Sequence, residues 1–500
     1  MRTKTGINTR VLITLIVFAF FIFTMAFQLT HSSLWGDEWV EYNYSQEETS
    51  SGILYEIILT TFQPPLYNYL MHYWLLIDNS ILWFRLFNVF IGVGSGILLY
   101  LTVKKLCGWK TACVTLGILA AVYEWVYCTQ ECAEYALMLF FLFLAFYAWT
   151  ACHEKFHYGK MALFILACVG AAYSQYGSAF VVLPLLLFFW LRNMTDKTVP
   201  VSRKVILTVS YVLSFALFAV PLYIYFAAPQ LERNGIATNA VTLTGETLLK
   251  LPFVMGNLIG YFLHIQPEGA WAIVFGALSL LLIGLSVFVL CRKTTDRSGK
   301  YLILTLWTAY ILHFFLTELH IYAMVHAGLS SGFYCRYSYF YIPLLCAVLP
   351  VLFTEAGKGR PRVPRDAMVC MGGAGLLCVF LSCYSMLGNW YKAKDDIYAK
   401  IWLEHEGWKD TTYVLGMASY GFDYYISRAD DGSIENLYDK VDFSGEIELD
   451  YLPDRFWAWR TNWGGDAWGK IVDRARSDGW KVTVFDDAGY SGQLAFCSRE

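Results

Sequence analysis

The sequence predicts an all-α polytopic membrane domain of about eleven transmembrane helices, followed by a small extracytoplasmic α/β domain. Three observations carry this. Hydrophobic residues make up 57% of the 500 positions and aromatics 18%, while charged residues are only 15%, against roughly 25% in soluble proteins. Uncharged apolar runs of bilayer-spanning length recur along the first 388 positions. Residues 389–500 differ in kind, holding 21 of the 40 acidic residues and 13 Lys or Arg.

The first apolar run, 11–29, is 19 residues without a charge. At about 1.5 Å per residue it crosses a hydrocarbon core of roughly 30 Å. No small-x-small cleavage site follows, so it reads as an uncleaved anchor. Further spans are expected at 81–103, 111–127, 132–151, 161–174, 176–191, 205–227, 270–290, 301–319, 337–354 and 367–388. Two long segments lie between spans on the same side. In 31–80, the stretch 64–77 is too short to span comfortably and reads as an interfacial helix opened by Pro64 and Pro65. In 228–269, a surface helix is expected around 248–265. In the tail, 395–406 is amphipathic at helical spacing, 411–416 reads as a strand and 467–479 as a helix stopped at Gly479. Strands follow at 481–487 and 493–499.

Charge sets the orientation. Loops on one side hold twenty Lys and Arg, and those on the other only Arg233, Lys250 and Arg336. The expected N-terminus is therefore cytoplasmic in the cell membrane, and the tail is outside. A net charge of −3 removes any case for nucleic-acid binding, which needs a basic field. Low charge and high hydrophobicity exclude general disorder. The 13 cysteines lie mostly in apolar runs as small packing residues. Cys128 and Cys132, four apart near a membrane surface, leave a disulfide or a metal pair open.

Polar residues gather at the outer ends of the spans. In the first outer loop, Asp37, Glu38, Glu41, Glu47 and Glu48 crowd together with no basic partner, and Trp35 and Trp39 flank the leading pair. Acidic groups held at the bilayer surface can act on a lipid headgroup, and adjacent carboxylates raise one another's pKa, which suits general-base work; a merely solvated acidic loop is the alternative. Gln130, Glu131 and Glu134 stand at the outer break between two spans, as a functional cluster or as ordinary interfacial residues. Arg336 and Arg85 adjoin spans at the outer face. Each suits a carboxylate or a phosphate, or simply snorkels. His313, Glu318, His320 and His326 match no strong metal-ligand spacing.

These motifs resemble a family. "LWGDEW" (Leu34–Trp39) is similar to the signature opening the first outer loop of GT-C fold glycosyltransferases that use polyprenyl-phosphate sugars. "QPPLYNYLMHYW" (Gln63–Trp74), "WFRLFNVFIG" (Trp83–Gly92), "TQECAEYAL" (Thr129–Leu137), "CRYSYFYIPLL" (Cys335–Leu345) and the tail entry "KIWLEHEGWKDTTYVLG" resemble later motifs of that family in the same order. The nearest branch comprises bacterial relatives of protein O-mannosyltransferases, aminoarabinose–lipid A transferases and lipopolysaccharide galacturonosyltransferases. The resemblance implies an inverting hexosyl- or pentosyltransferase outside the cytoplasm. Its partners would be a polyprenyl-phosphate-linked sugar, membrane lipid, and an envelope glycan, lipid or protein acceptor.

In that reading Asp37 is the general base. Glu38 orients the acceptor or helps hold a cation, and Arg336 meets the lipid phosphate. Arg85, Gln130, Glu131, Tyr135 and Gln63 are the further substrate-binding candidates. No cofactor is firmly implied; a divalent metal is compatible, and its ligands are not assigned. Three positions depart from the family pattern. Gln63 and Gln175 stand where it has His, and Ala133 where it has Arg. Two other functions fit less well. A transporter or flippase of lipid-linked sugars calls for repeated halves and midplane charges. A non-catalytic envelope scaffold leaves the acidic loop without a role.

Overall fold

The computed structural model describes residues 9–27, 29–30, 33–234, 245–293, 295–319, 321–322, 333–358, 395–415, 421, 424–426, 438–441, 452–461, 467–485 and 492–499. The chain divides into two compact units. One comprises Met1–Phe27, Glu47–Asp78 and Arg85–Met386, and the other Gln28–Gln46, Asn79–Phe84 and Leu387–Glu500.

The first unit holds the apolar helices. They are α1 (Thr9–Ala26), α5 (Ile81–Cys107), α6 (Trp109–Leu119), α7 (Tyr123–Gln130), α8 (Tyr135–Glu154), α9 (Tyr158–Ser174) and α10 (Ala179–Thr195). They continue with α11 (Val201–Arg233), α12 (Gly245–Phe262), α13 (Ala270–Cys291), α14 (Arg297–Glu318) and α15 (Tyr341–Gly357). Seven helices among the described residues are long and apolar enough to cross a membrane, and an eighth if the bent pair α6–α7 forms one span. With the shorter apolar helices α9 and α15, these account for every expected span except 367–388, which lies outside the described residues. The chain is a multi-pass membrane protein. Leu15, Ile16, Leu217, Ile273 and Leu281 remain exposed on α1, α11 and α13, as lipid-facing positions should.

Small residues set the closest helix contacts. A Cβ on Gly92 would lie 2.8 Å from Met25 Sδ, and one on Gly96 would lie 2.4 Å from Phe21. This pair, four apart on α5, lets α1 approach closely, as small-xxx-small faces do in membranes. In α11, π-helical turns at Phe215–Ala219 and Tyr223–Ala227 flank Pro221. Proline lacks the N–H that regular α-helical bonding needs there.

The expected straight span at 111–127 is instead broken. α6 and α7 meet at 70°. Ala121 and Val122 bond back to Ile118 and Leu119, which tightens the end of α6, and Val122 is extended. Glu124, in the first turn of α7, is buried. A charged side chain there must find polar partners inside the protein, and the break gives it access to them.

The basic side chains between spans also have a local use. Lys160 donates to the carbonyls of Ala151 and Lys155, Lys204 to Met194, and Arg292 to Glu355, Ala356 and Lys358. Each satisfies carbonyls at a helix C-terminus, where the dipole also favours a cation.

Two short helices of this unit, α3 (Ser50–Thr60) and α4 (Leu66–Leu75), fall in the segment read as an outer loop. α4 is a helix where one was expected at 64–77, with Pro65 as its N-cap. α12 matches the helix expected around 248–265.

The second unit contains α2 (Gly36–Tyr44) and the tail domain. The tail comprises α16 (Asp395–Glu404), β1 (Thr411–Leu415), β2 (Tyr438–Val441), β3 (Arg455–Thr461), α17 (Ala467–Ser477), β4 (Lys481–Val484) and β5 (Gly492–Ser498). The strand order is β2-β1-β3-β5-β4. β2, β1 and β3 run parallel, and β5 is antiparallel to β3 and β4. The central strand β3 sends Phe456 and Ala458 to a core with Trp468, Ile471 and Val472 of α17, and Trp457 and Trp459 to one with Tyr398 and Trp402 of α16. Gly479 closes α17 at φ +90, a left-handed position suited to glycine.

Candidate active site

The acidic pair lies on a helix rather than in a loop. α2 starts after Trp35, and Glu38 Oε2 accepts the Trp35 backbone N–H at 3.2 Å. Such a reciprocal cap satisfies a backbone donor that the helix itself cannot. Glu38 is fully buried, whereas Asp37, one residue earlier in the first turn, is only partly so. The opposite face of α2 is fixed by aromatics. Trp39 meets the Tyr424 ring at 5.3 Å, Tyr42 meets Phe84 at 5.3 Å, and Tyr42 donates to the Asn79 carbonyl at 2.6 Å. Glu38 therefore holds the turn that presents Asp37. Glu38→Gln keeps an oxygen for the Trp35 N–H. It is expected to retain activity within about tenfold of wild type, while Glu38→Ala loses the cap and about 0.5–2 kcal/mol of stability. Assay and thermal unfolding of both variants check this.

A second polar cluster forms in the first unit around the turn between α7 and α8. Asn88 of α5 donates to the carbonyls of Glu131 and Ala133 and so holds the turn. Glu131 and Glu134 are buried there. Arg336, on the short 3₁₀ helix before α15, is partly buried with its guanidinium 5.5 Å from the Tyr337 ring centre. Arg336, Glu131 and Glu134 all act electrostatically on the Tyr135 hydroxyl. The structure thus brings three sequence-expected residues together: Glu131, Tyr135 and Arg336.

The other expected residues serve neighbouring elements. Gln130 Nε2 donates to the carbonyls of Met25 and Phe27 at 3.0 and 2.9 Å, capping the end of α1. Gln63 Nε2 lies 3.4 Å from Asn68 Oδ1, and its backbone carbonyl accepts from Gln230. Arg85 is buried on the first turn of α5. Gln175 donates to the Tyr322 hydroxyl at 2.9 Å. Burial pushes the Tyr322 hydroxyl pKa up, so it stays protonated.

Sequence reasoning missed a buried group beside the cluster. Tyr339 donates to Glu124 Oε2, His264 Nδ1 lies 3.7 Å from Glu124 Oε1, and the Tyr339 ring packs 5.3 Å from Tyr135. The signal was available, because Glu124 is the one charged residue inside the apolar run 111–127. His313 is fully buried against Phe180, Phe340 and Tyr341, as a packed core histidine. Among the described residues no three His, Cys, Asp or Glu side chains gather as a metal-holding group, and the Cys128 thiol donates to the Trp125 carbonyl one turn earlier in α7. His320 and His326 lie outside the described residues.

No curated protein sequence matches the chain. Among solved structures, it is similar to ArnT from Cupriavidus metallidurans bound to undecaprenyl phosphate, at 13% identity over 97% of both chains and a TM-score of 0.43. It is also similar to the oligosaccharyltransferase AglB from Archaeoglobus fulgidus in complex with an inhibitory peptide and a dolichol-phosphate. That match has 12% identity over 83% of this chain and 63% of that one, with a TM-score of 0.48. Residues 62–224, which carry Gln63, Arg85, Glu131 and Tyr135, match the sequence model of the dolichyl-phosphate-mannose-protein mannosyltransferase family, and this stretch of the chain resembles that family.

Proposed function

We infer that this protein is an inverting glycosyltransferase that moves a sugar from a polyprenyl-phosphate donor to an envelope acceptor on the outer side of the membrane. The match of 62–224 to a family acting on lipid-phosphate-linked mannose carries this reading. Asp37 removes the proton from the acceptor hydroxyl as that oxygen attacks the anomeric carbon. The bond to the donor phosphate breaks on the opposite face, which inverts the configuration. Arg336 meets the negative charge that grows on the departing phosphate, a placement that favours the transition state over the ground state. The Tyr135 hydroxyl lies within electrostatic reach of both Glu131 and Arg336, which supports placing Arg336 in the same site. Mass spectrometry of envelope polymers and lipid-linked sugars, in cells with and without the gene, tests the reading. Loss of the gene should remove one sugar from an acceptor and leave its lipid-linked form to accumulate. Identical profiles would contradict it.

The orientation inferred from charge puts 31–80 and 389–500 outside. Cys291 offers a direct check, because its thiol is exposed at the C-terminal end of α13, on the Lys/Arg-rich side. In a variant retaining only this cysteine, an impermeant maleimide should label it after permeabilisation and not on intact cells. Labelling on intact cells would reverse the orientation.

A further inference from the structure

On the Lys/Arg-rich side, the last turns of α5, α8, α10 and α15 and the first turn of α14 line a half-open cavity of about 350 Å³. That is within the range of small-molecule pockets, roughly 300–1,000 Å³. It is remote from the cluster around Tyr135. Lys105 lines it, and Asn88, which holds the turn between α7 and α8, lies on the same helix about 25 Å away at 1.5 Å per residue.

Three cations (Lys105, Arg192, Lys358) and three carboxylates (Glu154, Asp296, Glu355) line this space. Part of that charge is satisfied internally. Lys105 donates to Glu154, Lys358 donates to Glu355 Oε1, and Asp296 caps α14 through the Ser298 N–H at 2.9 Å. What remains is a defined set of groups. Glu355 is only 7% exposed, and its Oε2 has no hydrogen-bond partner among the described residues. Trp149 Nε1 and His153 Nε2, on the wall formed by α8, also lack one among those residues. The Arg192 guanidinium makes no hydrogen bond or ion pair among the described residues, and Asp296 acts on it only through space.

Buried polar atoms are almost always hydrogen-bonded, so three orphans on one cavity point to a ligand. The indole N–H and the guanidinium are donors, and a phosphate group suits both. The buried Glu355 oxygen is an acceptor, and an ammonium suits it. A simple anion would be repelled by the carboxylates. A simple cation would leave Trp149 and Arg192 without acceptors. The lining residues lie within the last two turns of α5, α8, α10 and α15 and at the start of α14, which places the cavity near headgroup depth. We propose that it binds the phosphoethanolamine headgroup of a membrane phospholipid, with the phosphate toward Arg192 and Trp149 and the ammonium toward Glu355.

Native mass spectrometry of the full chain in detergent tests this, with phosphatidylethanolamine, phosphatidylcholine and phosphatidylglycerol of identical acyl chains as probes. Choline carries no N–H, and glycerol carries no cation. Phosphatidylethanolamine should bind about tenfold more tightly than either, the effect of at least one charge-assisted hydrogen bond. Glu355→Gln should abolish the preference over phosphatidylcholine, and Arg192→Gln should weaken all three lipids by about tenfold. The wild-type comparison decides the matter even if a variant fails to fold. Equal retention of the three lipids by wild type, or an undiminished preference in folded Glu355→Gln, would overturn the proposal.

Discussion

Asp37→Asn is expected to lower turnover by about 10²–10⁴-fold, the usual contribution of a positioned general base. An acceptor hydroxyl is a poor nucleophile until it loses its proton, and that loss must accompany attack on the sugar. Asn keeps the shape and a hydrogen-bonding oxygen but cannot accept the proton. The surroundings make the substitution clean. Asp37 is partly exposed, whereas the turn beneath it is held by Glu38 on Trp35 and by Trp39 and Tyr42 against the aromatics of the same unit. Expression and donor binding should therefore change little, so the loss falls on kcat. Glu47→Gln, further along the acidic segment, should cost almost nothing. That contrast separates a specific base from a merely acidic surface. A wild-type rate in purified Asp37→Asn would refute the assignment and make Glu38 or Glu131 the next residue to test.

Arg336→Ala is expected to reduce kcat/KM by about 10²–10³-fold, comparable to removing a donor aimed at developing negative charge. Arg336→Lys should fall between the two, because it keeps the charge but loses the planar fork that grips a phosphate bidentately. The neighbours sharpen the expectation. Glu131 and Glu134 are buried close by, and removing the guanidinium leaves their carboxylates without its balancing charge. The Ala variant should also lose stability, which thermal unfolding separates from the catalytic effect. Equal kcat/KM for wild type, Lys and Ala would remove Arg336 from the donor site.

Most of the membrane helices were legible because an apolar run of bilayer length has few other readings. The α6–α7 break was not. No proline or glycine occupies 118–124, and the determinant is a buried Glu124 whose partners Tyr339 and His264 are distant in sequence. In the tail, β3 escaped notice for a related reason. Its run from Phe456 to Trp459 is buried on both faces, so the polar alternation that marks a half-exposed strand is missing. At the candidate site, residue types were readable but their division of labour was not. The resemblance made Asp37 the base and gave Glu38 an acceptor-orienting or cation-holding part; the fold buries Glu38 as a cap and leaves Asp37 partly exposed. Gln130 read as a substrate ligand or an ordinary interfacial residue; in the fold its side chain holds the end of α1, which sequence did not show.

Chemical transfer from a lipid phosphate can be followed in a single assay. The purified full chain is placed in liposomes with an envelope lipid extract that contains polyprenyl-phosphate sugars and acceptors, and both lipids are quantified by mass spectrometry over time. One lipid-linked sugar should disappear while free polyprenyl phosphate and a glycosylated acceptor rise in equal amounts, and Asp37→Asn should leave all three nearly constant. A lipid-linked sugar pool that stays constant with wild-type protein, or merely changes leaflet, would contradict it.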